Sequence, residues 1–199
     1  MLKNIAIIDY SIGNYSSIKN AVKNLNCKIK VTKNYSDLQN ADALILPGVG
    51  TYPEAIKSLK KSNLFDKLKR LIITGKPTLG ICLGMHLLTE SSDEIERTKG
   101  LSIISGKTKL NLSKKTHIGW NTVSIKDKSS ILYPFNNEIF YFQHNYSYQG
   151  LDKYKTGVSK AQKNITSIIK KDKIIGVQFH PEKSQNIGIK FLQTFIDQI

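Results

Sequence analysis

The chain has almost no cysteine and almost no arginine. Two cysteines, Cys27 and Cys82, in 199 residues cannot build a disulfide framework. That scarcity suits a reducing compartment in which a thiol stays free. Arg70 and Arg97 are the only arginines, so the 30 basic residues, set against 15 acidic ones, are nearly all lysine. With no arginine-rich tract, and with aromatics that lack RNA-motif spacing, the net charge of +15 reads as scattered, solvated lysine. That argues against a nucleic-acid partner. No apolar run reaches the ~20 residues of a membrane span. The opening "MLKNIAIIDY" lacks the basic, apolar, small-residue order of an export signal. The expectation is a cytoplasmic chain with no membrane partner and one domain over residues 1–199.

The first half alternates short apolar runs with helical patterns. "NIAIIDY", "KIKVT", "ADALILPGVG" and "PTLGIC" have the length and apolar content of buried strands. Between them, "SSIKNAVKNLN" carries Ile18, Ala21, Val22 and Leu25 on one helical stripe. The stretch from Tyr52 to Gly75 predicts two helical pieces, and "GMHLLTES" the next helix. This order predicts an α/β fold, a mainly parallel sheet with helices on both faces. In the second half, "LSIISGKTKLNL", "WNTVSI", "EIFYFQHNYSYQ", "YKTGVS", "NITSIIKK" and "KIIGVQFH" predict an antiparallel extension, closed by a helix over "SQNIGIKFLQTFIDQI". Sites in such sheets gather beyond the carboxyl ends of the strands.

Two glycine-bearing segments and one histidine fall at predicted strand ends. In "GICLGMH", Cys82 has the glycine spacing of a nucleophile elbow, with sulfur in place of a hydroxyl. The turn must be tight, and neighbours without side chains relieve its crowding. A helix starting there would favour thiolate through its dipole. A thiolate nucleophile needs a base with an orienting partner. Among His86, His117, His144 and His180, the last has the best setting. "QFHPE" ends an apolar strand, and in extended geometry Glu182 would lie on the His180 side. "PGVG", Pro47 to Gly50, offers backbone donors for an oxyanion beside Cys82.

"LPGVG", "KPTLGICLGMHLL", "HIGWN", "YFQHNY" and "QFHPEKSQNIG", in that order, resemble the class I, triad-type glutamine amidotransferases. "HIGWN", "FHPEKS" and "YSIGN" narrow the resemblance to the glutaminase subunits that serve imidazole glycerol phosphate synthases. The resemblance covers nearly the whole chain. It implies the flavodoxin-like fold of that class, no cofactor and no metal. Cys82 would attack the side-chain amide of L-glutamine, His180 would move protons, and Glu182 would orient His180. Gly48, Val49, Gly50 and Leu83 would meet the oxyanion. His86, Glu94, His144, Asn145 and Tyr146 would contact substrate. Ammonia would pass to a cyclase subunit with a (β/α)₈ barrel, forming a heterodimer, with Asn14, Trp120, Tyr141 and Lys183 facing that partner. Three positions depart from the family pattern: His86 replaces a usual Gln, Asn145 a Ser or Thr, and Ser11 a Gly. An imidazole can still donate one hydrogen bond and accept another. Three other readings stay open on sequence: a paralogue feeding a sugar-amidino synthetase, a basic nucleic-acid binder with a vestigial triad, and a stand-alone cysteine hydrolase.

Overall fold

A computed structural model describes residues 2–11, 14–111, 116–160 and 165–199. The first half runs β1 (Lys3–Ile8), α1 (Tyr15–Val22), β2 (Cys27–Thr32), α2 (Tyr35–Asn40), β3 (Ala43–Leu46), α3 (Tyr52–Lys61), α4 (Phe65–Ile73), β4 (Thr78–Ile81) and α5 (Leu83–Leu87). The second half adds β5 (Ser91–Ser92), β6 (Thr98–Lys99), β7 (Gly106–Leu110), β8 (His117–Ile125), β9 (Glu138–His144), β10 (Tyr146–Gly150), β11 (Lys155–Ser159), β12 (Ile165–Lys171), β13 (Ile174–Val177) and α6 (Gln185–Asp197).

Among the described residues, nine strands form one sheet in the order β2-β1-β3-β4-β13-β12-β11-β8-β9. The first five pair in parallel and the remainder antiparallel, so the extension continues the central sheet rather than leaving it. The apolar runs are double-sided. Along β1, Ile5 and Ile7 enter a core shared with α1 and α6, while Ala6 and Ile8 enter a second core under α2 to α5. That is the period-2 alternation of a strand covered on both faces. Each such Ile or Leu contributes about 1.5–3 kcal/mol on burial. Among the described residues no helix is long and apolar enough to cross a membrane.

Three expectations change. "KIIGV", assigned by sequence to the antiparallel extension, is β13 and pairs in parallel with β4, Val177 opposite Ile81. The apolar run at Leu101–Ile104 is not a strand; its buried Leu101, Ile103 and Ile104 plug a core from a loop. "EIFYFQHNYSYQ" is two strands. It breaks at Asn145, so that β9 edges the large sheet while β10 joins a second sheet in the order β10-β7-β5-β6. Part of the "YSIGN" segment lies outside the described residues, at positions 12 and 13.

Candidate active site

The β4–β13 pairing sets the site. Parallel neighbours end at the same edge, so the chain leaving β4 at Cys82 and the chain leaving β13 toward His180 emerge side by side. Cys82 has φ 48° and ψ −104°, a strained conformation for a residue with a side chain. Its amide donates to the Val177 carbonyl at 2.7 Å, tying the turn to β13. Glycine makes the turn possible. A Cβ on Gly48 would sit 1.8 Å from the Ile81 oxygen and 2.5 Å from the Leu83 nitrogen; one on Gly84 would sit 2.0 Å from the Leu46 oxygen. The "PGVG" loop thus rests directly on the Cys82 turn, and the buried Tyr10 hydroxyl, donating to the Pro47 carbonyl, anchors that loop. The helix after Cys82 spans only Leu83–Leu87, so its dipole is short and the sulfur's environment rests on side chains.

His180 follows β13 in extended backbone, and Pro181–Lys183 then form a 3₁₀ turn. The turn, not continued extension, brings Glu182 back: its Oε1 accepts from His180 Nδ1 at 2.8 Å. Both side chains are almost fully buried, and Glu182 Oε2 has no partner among the described residues. The imidazole and the Cys82 sulfur line the same cavity and act on each other electrostatically. Burial opposes charge on His180, but the Cys82 sulfur and then Glu182 outweigh it and push its pKa up to about 10. The structure therefore brings Cys82, His180 and Glu182 together.

A cavity of about 330 Å³ opens on the sulfur. It is lined by Gly48, Val49, Gly50 and Leu83, and by His86, Glu94, His144, Asn145 and Tyr146, with Gln143, Ile118 and Lys183 at its margin. Glu94 Oε2 accepts from the Tyr52 amide at the start of α3 at 3.0 Å. Burial pushes its carboxyl up against that pull, and Glu54 adds to the rise. His86 is buried, and burial holds it down to about 4 although its bond to Gln178 pulls the other way. A histidine chain leads to the lining residue His144. Asn121 Nδ2 donates to His117 Nε2 at 2.6 Å, His117 Nδ1 to His144 Nε2 at 2.9 Å, and His144 Nδ1 to the Tyr146 carbonyl at 2.8 Å. A carbonyl only accepts, so this one arrangement of neutral tautomers fits all three bonds. Burial, with the neighbouring histidines, holds His144 down to about 3 against the pull of the Tyr146 carbonyl.

Asn14 stands apart from that cavity: its side chain caps α1, accepting from the Ser17 amide at 3.2 Å. Trp120 and Tyr141 face each other across β8 and β9, rings edge-on at 5.8 Å. Lys183 reaches over the Tyr141 ring and donates to Gln143 Oε1 at 3.0 Å. Sequence reasoning missed Gln178, Gln143 and Ser184. The Ser184 hydroxyl donates to the His180 carbonyl at 2.7 Å and accepts from the Tyr141 amide at 3.0 Å, fixing the His180 turn to β9. Gln178 was detectable: it stands two residues before His180 in a strand pattern, a polar side chain destined for the same face.

The family described as glutamine amidotransferase class-I matches residues 6–199. The chain is 45% identical over 202 residues to the imidazole glycerol phosphate synthase subunit HisH 2 of Methanococcus maripaludis, covering 98% of this chain and 99% of that protein. It is 40% identical over 202 residues to the HisH 2 subunit of Vibrio vulnificus, with 98% and 94% covered. Among solved structures it is similar to one described as a glutamine amidotransferase, with TM-score 0.77 and 14% identity over 98% of this chain and 99% of that one. It is also similar to a chain of the PurLQS structure from Thermotoga maritima, with TM-score 0.79 and 16% identity over 100% and 99%. At those identities the two structures speak for the fold.

Proposed function

The chain belongs to the class-I glutamine amidotransferase family, and on that premise we propose that it is the glutaminase subunit of an imidazole glycerol phosphate synthase. One observation carries the chemistry: His180, bonded to the Glu182 carboxylate, and Cys82 line one cavity about 330 Å³ in volume. That volume falls at the small end of the range for small-molecule sites, about 300–1,000 Å³.

Cys82 attacks the side-chain carboxamide carbon of L-glutamine, with the proton held by His180. The carbonyl oxygen becomes an oxyanion, met by backbone donors from Gly48, Val49, Gly50 and Leu83; one such donor is typically worth about 3 kcal/mol. Collapse breaks the C–N bond, and His180 delivers its proton to the departing nitrogen, giving ammonia and a glutamyl thioester. Water, deprotonated by His180, attacks the thioester through a second oxyanion. Collapse then releases glutamate and restores the thiol. Glu182 fixes the imidazole tautomer and stabilises the imidazolium in both halves. Glu94 and His86, with His144, Asn145 and Tyr146 opposite, hold the amino-acid end of the substrate.

The relatives are named as subunits, which supports a partner. We take that partner to be a cyclase with a (β/α)₈ barrel, in the cytoplasm. Free ammonia is protonated in neutral water and ceases to be a nucleophile, so direct delivery has a chemical reason. The docking face is the exposed side of β8 and β9, where Ile118, Trp120 and Ile139 stand 60%, 46% and 50% exposed beside Tyr141 and Lys183. Asn14 lies past the end of β1, at the same edge of the sheet as Cys82. The test is glutamate release by the wild type and by Cys82→Ala, with and without the cyclase. The expectation is slow hydrolysis alone, strong stimulation by cyclase with its ligand, and none in the variant. Stimulation by an ATP-dependent synthetase instead would redirect the ammonia to sugar amidination. Full turnover with no partner would make the chain a free-standing hydrolase.

A further inference from the structure

The catalytic set leaves one buried polar side chain beside the nucleophile without a role. Gln178 follows β13 and is wholly buried. Its neighbours Val177 and Phe179 belong to the apolar core. Its backbone amide is satisfied by the Ser167 carbonyl at 2.9 Å. A buried primary amide is costly unless both ends are used. Here both are: Nε2 lies 3.7 Å from the Cys82 sulfur as a donor, and Oε1 lies 2.8 Å from His86 Nε2.

We propose that Gln178 is a positioning residue for the nucleophile, its amide donating to the Cys82 thiolate and His86 fixing which end of that amide faces the sulfur. This rests on the reading of Cys82 as the attacking group. The amide oxygen only accepts, so His86 must carry its proton on Nε2. With the oxygen held by His86, the –NH₂ end points at the sulfur. A reversed amide would set an oxygen lone pair against a thiolate, and His86 would then have to accept on Nε2 instead of donating. The relay therefore has one direction, from His86 through Gln178 to Cys82.

The sulfur also has a neighbour with the opposite demand. The Gln143 carbonyl, 3.8 Å away, can accept only from a protonated thiol. The titratable groups around the sulfur are His180 with Glu182 behind it, His86 from α5, His144 at the end of β9 and Tyr10 from the loop after β1; Glu94 and Lys183 line the same cavity. Burial keeps the Tyr10 phenol well above its ordinary range, and His86 and His144 are neutral near pH 7, so the local balance lies between His180, Gln178 and Gln143. Removing the Gln178 donor tips it toward the thiol. The replacement of the usual family Gln by His86 then has a physical reading: either side chain can supply the one N–H that the Gln178 oxygen needs.

The experiment is the pH dependence of Cys82 alkylation by iodoacetamide in a Cys27→Ser background, where Cys82 is the only thiol. Gln178→Leu is expected to move the inflection up by about one pH unit, a roughly tenfold slower reaction on the acid limb with the alkaline plateau unchanged. His86→Leu should do the same, and the double variant should move no further, because the two act in series. His86→Gln should restore the wild-type inflection. An unchanged inflection in His86→Leu and Gln178→Leu, each shown to melt cooperatively, overturns the proposal, as does a lowered plateau without a moved inflection. If Gln178→Leu does not fold, the His86→Leu and His86→Gln pair decides alone. Glutamine hydrolysis surviving in Cys82→Ala would refute the nucleophile reading itself, a result separable from either of these.

Discussion

The backbone oxygen of Gln143 lies 3.8 Å from the Cys82 sulfur, in position to accept from the thiol. The side chain of the same residue reaches the surface, where its oxygen accepts from Lys183 Nζ at 3.0 Å. One residue of β9 thus touches both the proposed nucleophile and the exposed β8–β9 face proposed for the partner. Lys183 in turn belongs to the 3₁₀ turn that carries Glu182. A protein docking on Tyr141 and Lys183 would press on the two strand ends that hold Cys82 and His180.

Trp120 is the large aromatic of that face, 46% exposed and edge-on to Tyr141. Aromatic anchors near an interface centre dominate affinity. Trp120→Ala should weaken the complex with the proposed cyclase partner by about 2 kcal/mol, or roughly 30-fold in Kd. Titration calorimetry checks this. A change within threefold would move the docking face elsewhere.

Glu182 holds its bond to His180 Nδ1 at 2.8 Å inside a nearly closed pocket. Glu182→Gln keeps the shape but removes the charge that stabilises the imidazolium. Hydrolysis in the stimulated complex should fall by about 10³–10⁴-fold in kcat with a much smaller change in KM. Steady-state glutamate release measures both. A fall in affinity alone would make Glu182 a structural residue.

The strands buried on both faces were legible because every residue of "IAII" or "ALIL" is apolar, and only a doubly covered strand reads that way. Cys82, His180 and Glu182 were legible because the flanking glycines mark a tight turn at Cys82 and Pro181 restricts the backbone at His180. Helix α2 was not: it buries only Leu38, so its sequence has no apolar period. The break at Asn145 was not, because both sides alternate in the same way and only tertiary pairing assigns them to different sheets. The parallel placement of β13 was also invisible, although it is what brings residues 82 and 180 together. Periodicity names a strand, not its neighbour.

The strain at Cys82 predicts a stability difference between two variants that lack the proposed nucleophile. With φ 48° and ψ −104°, any residue with a Cβ is held there at a cost of about 1–3 kcal/mol. Glycine adopts such a conformation freely. Cys82→Gly should therefore be more stable than Cys82→Ala by about 1 kcal/mol or more, net of the larger entropy of its unfolded chain. The same crowding makes Gly48→Ala and Gly84→Ala destabilising by at least about 2 kcal/mol, since each new methyl would meet backbone oxygen rather than a movable side chain. Urea unfolding of the four variants gives all the comparisons, and equal stability of Cys82→Gly and Cys82→Ala would show that the turn stores no strain.

Acid should unfold this chain before its carboxylates are exhausted, and the buried histidines give the reason. His86 and His144 are held down to about 4 and about 3, first by burial, whereas in the unfolded chain each titrates near 6.5. Below about pH 6.5 the unfolded state binds protons that the folded state refuses, so stability falls as pH falls. The loss runs from about pH 6.5 down through about pH 4 and amounts to about 3 kcal/mol for His86 alone. His180 behaves in the opposite sense. Its pKa is raised to about 10, so it is protonated in both states below about pH 6 and adds no slope there; its contribution is lost only as pH rises toward 10. Urea midpoints at pH 7.0, 5.5 and 4.5 should decline steadily in the wild type. In His86→Gln, which has no proton to gain at that position, the decline should be shallower by about 1 kcal/mol or more over the same interval. Parallel curves for the two proteins would mean that His86 takes up its proton in the folded state as readily as in the unfolded chain.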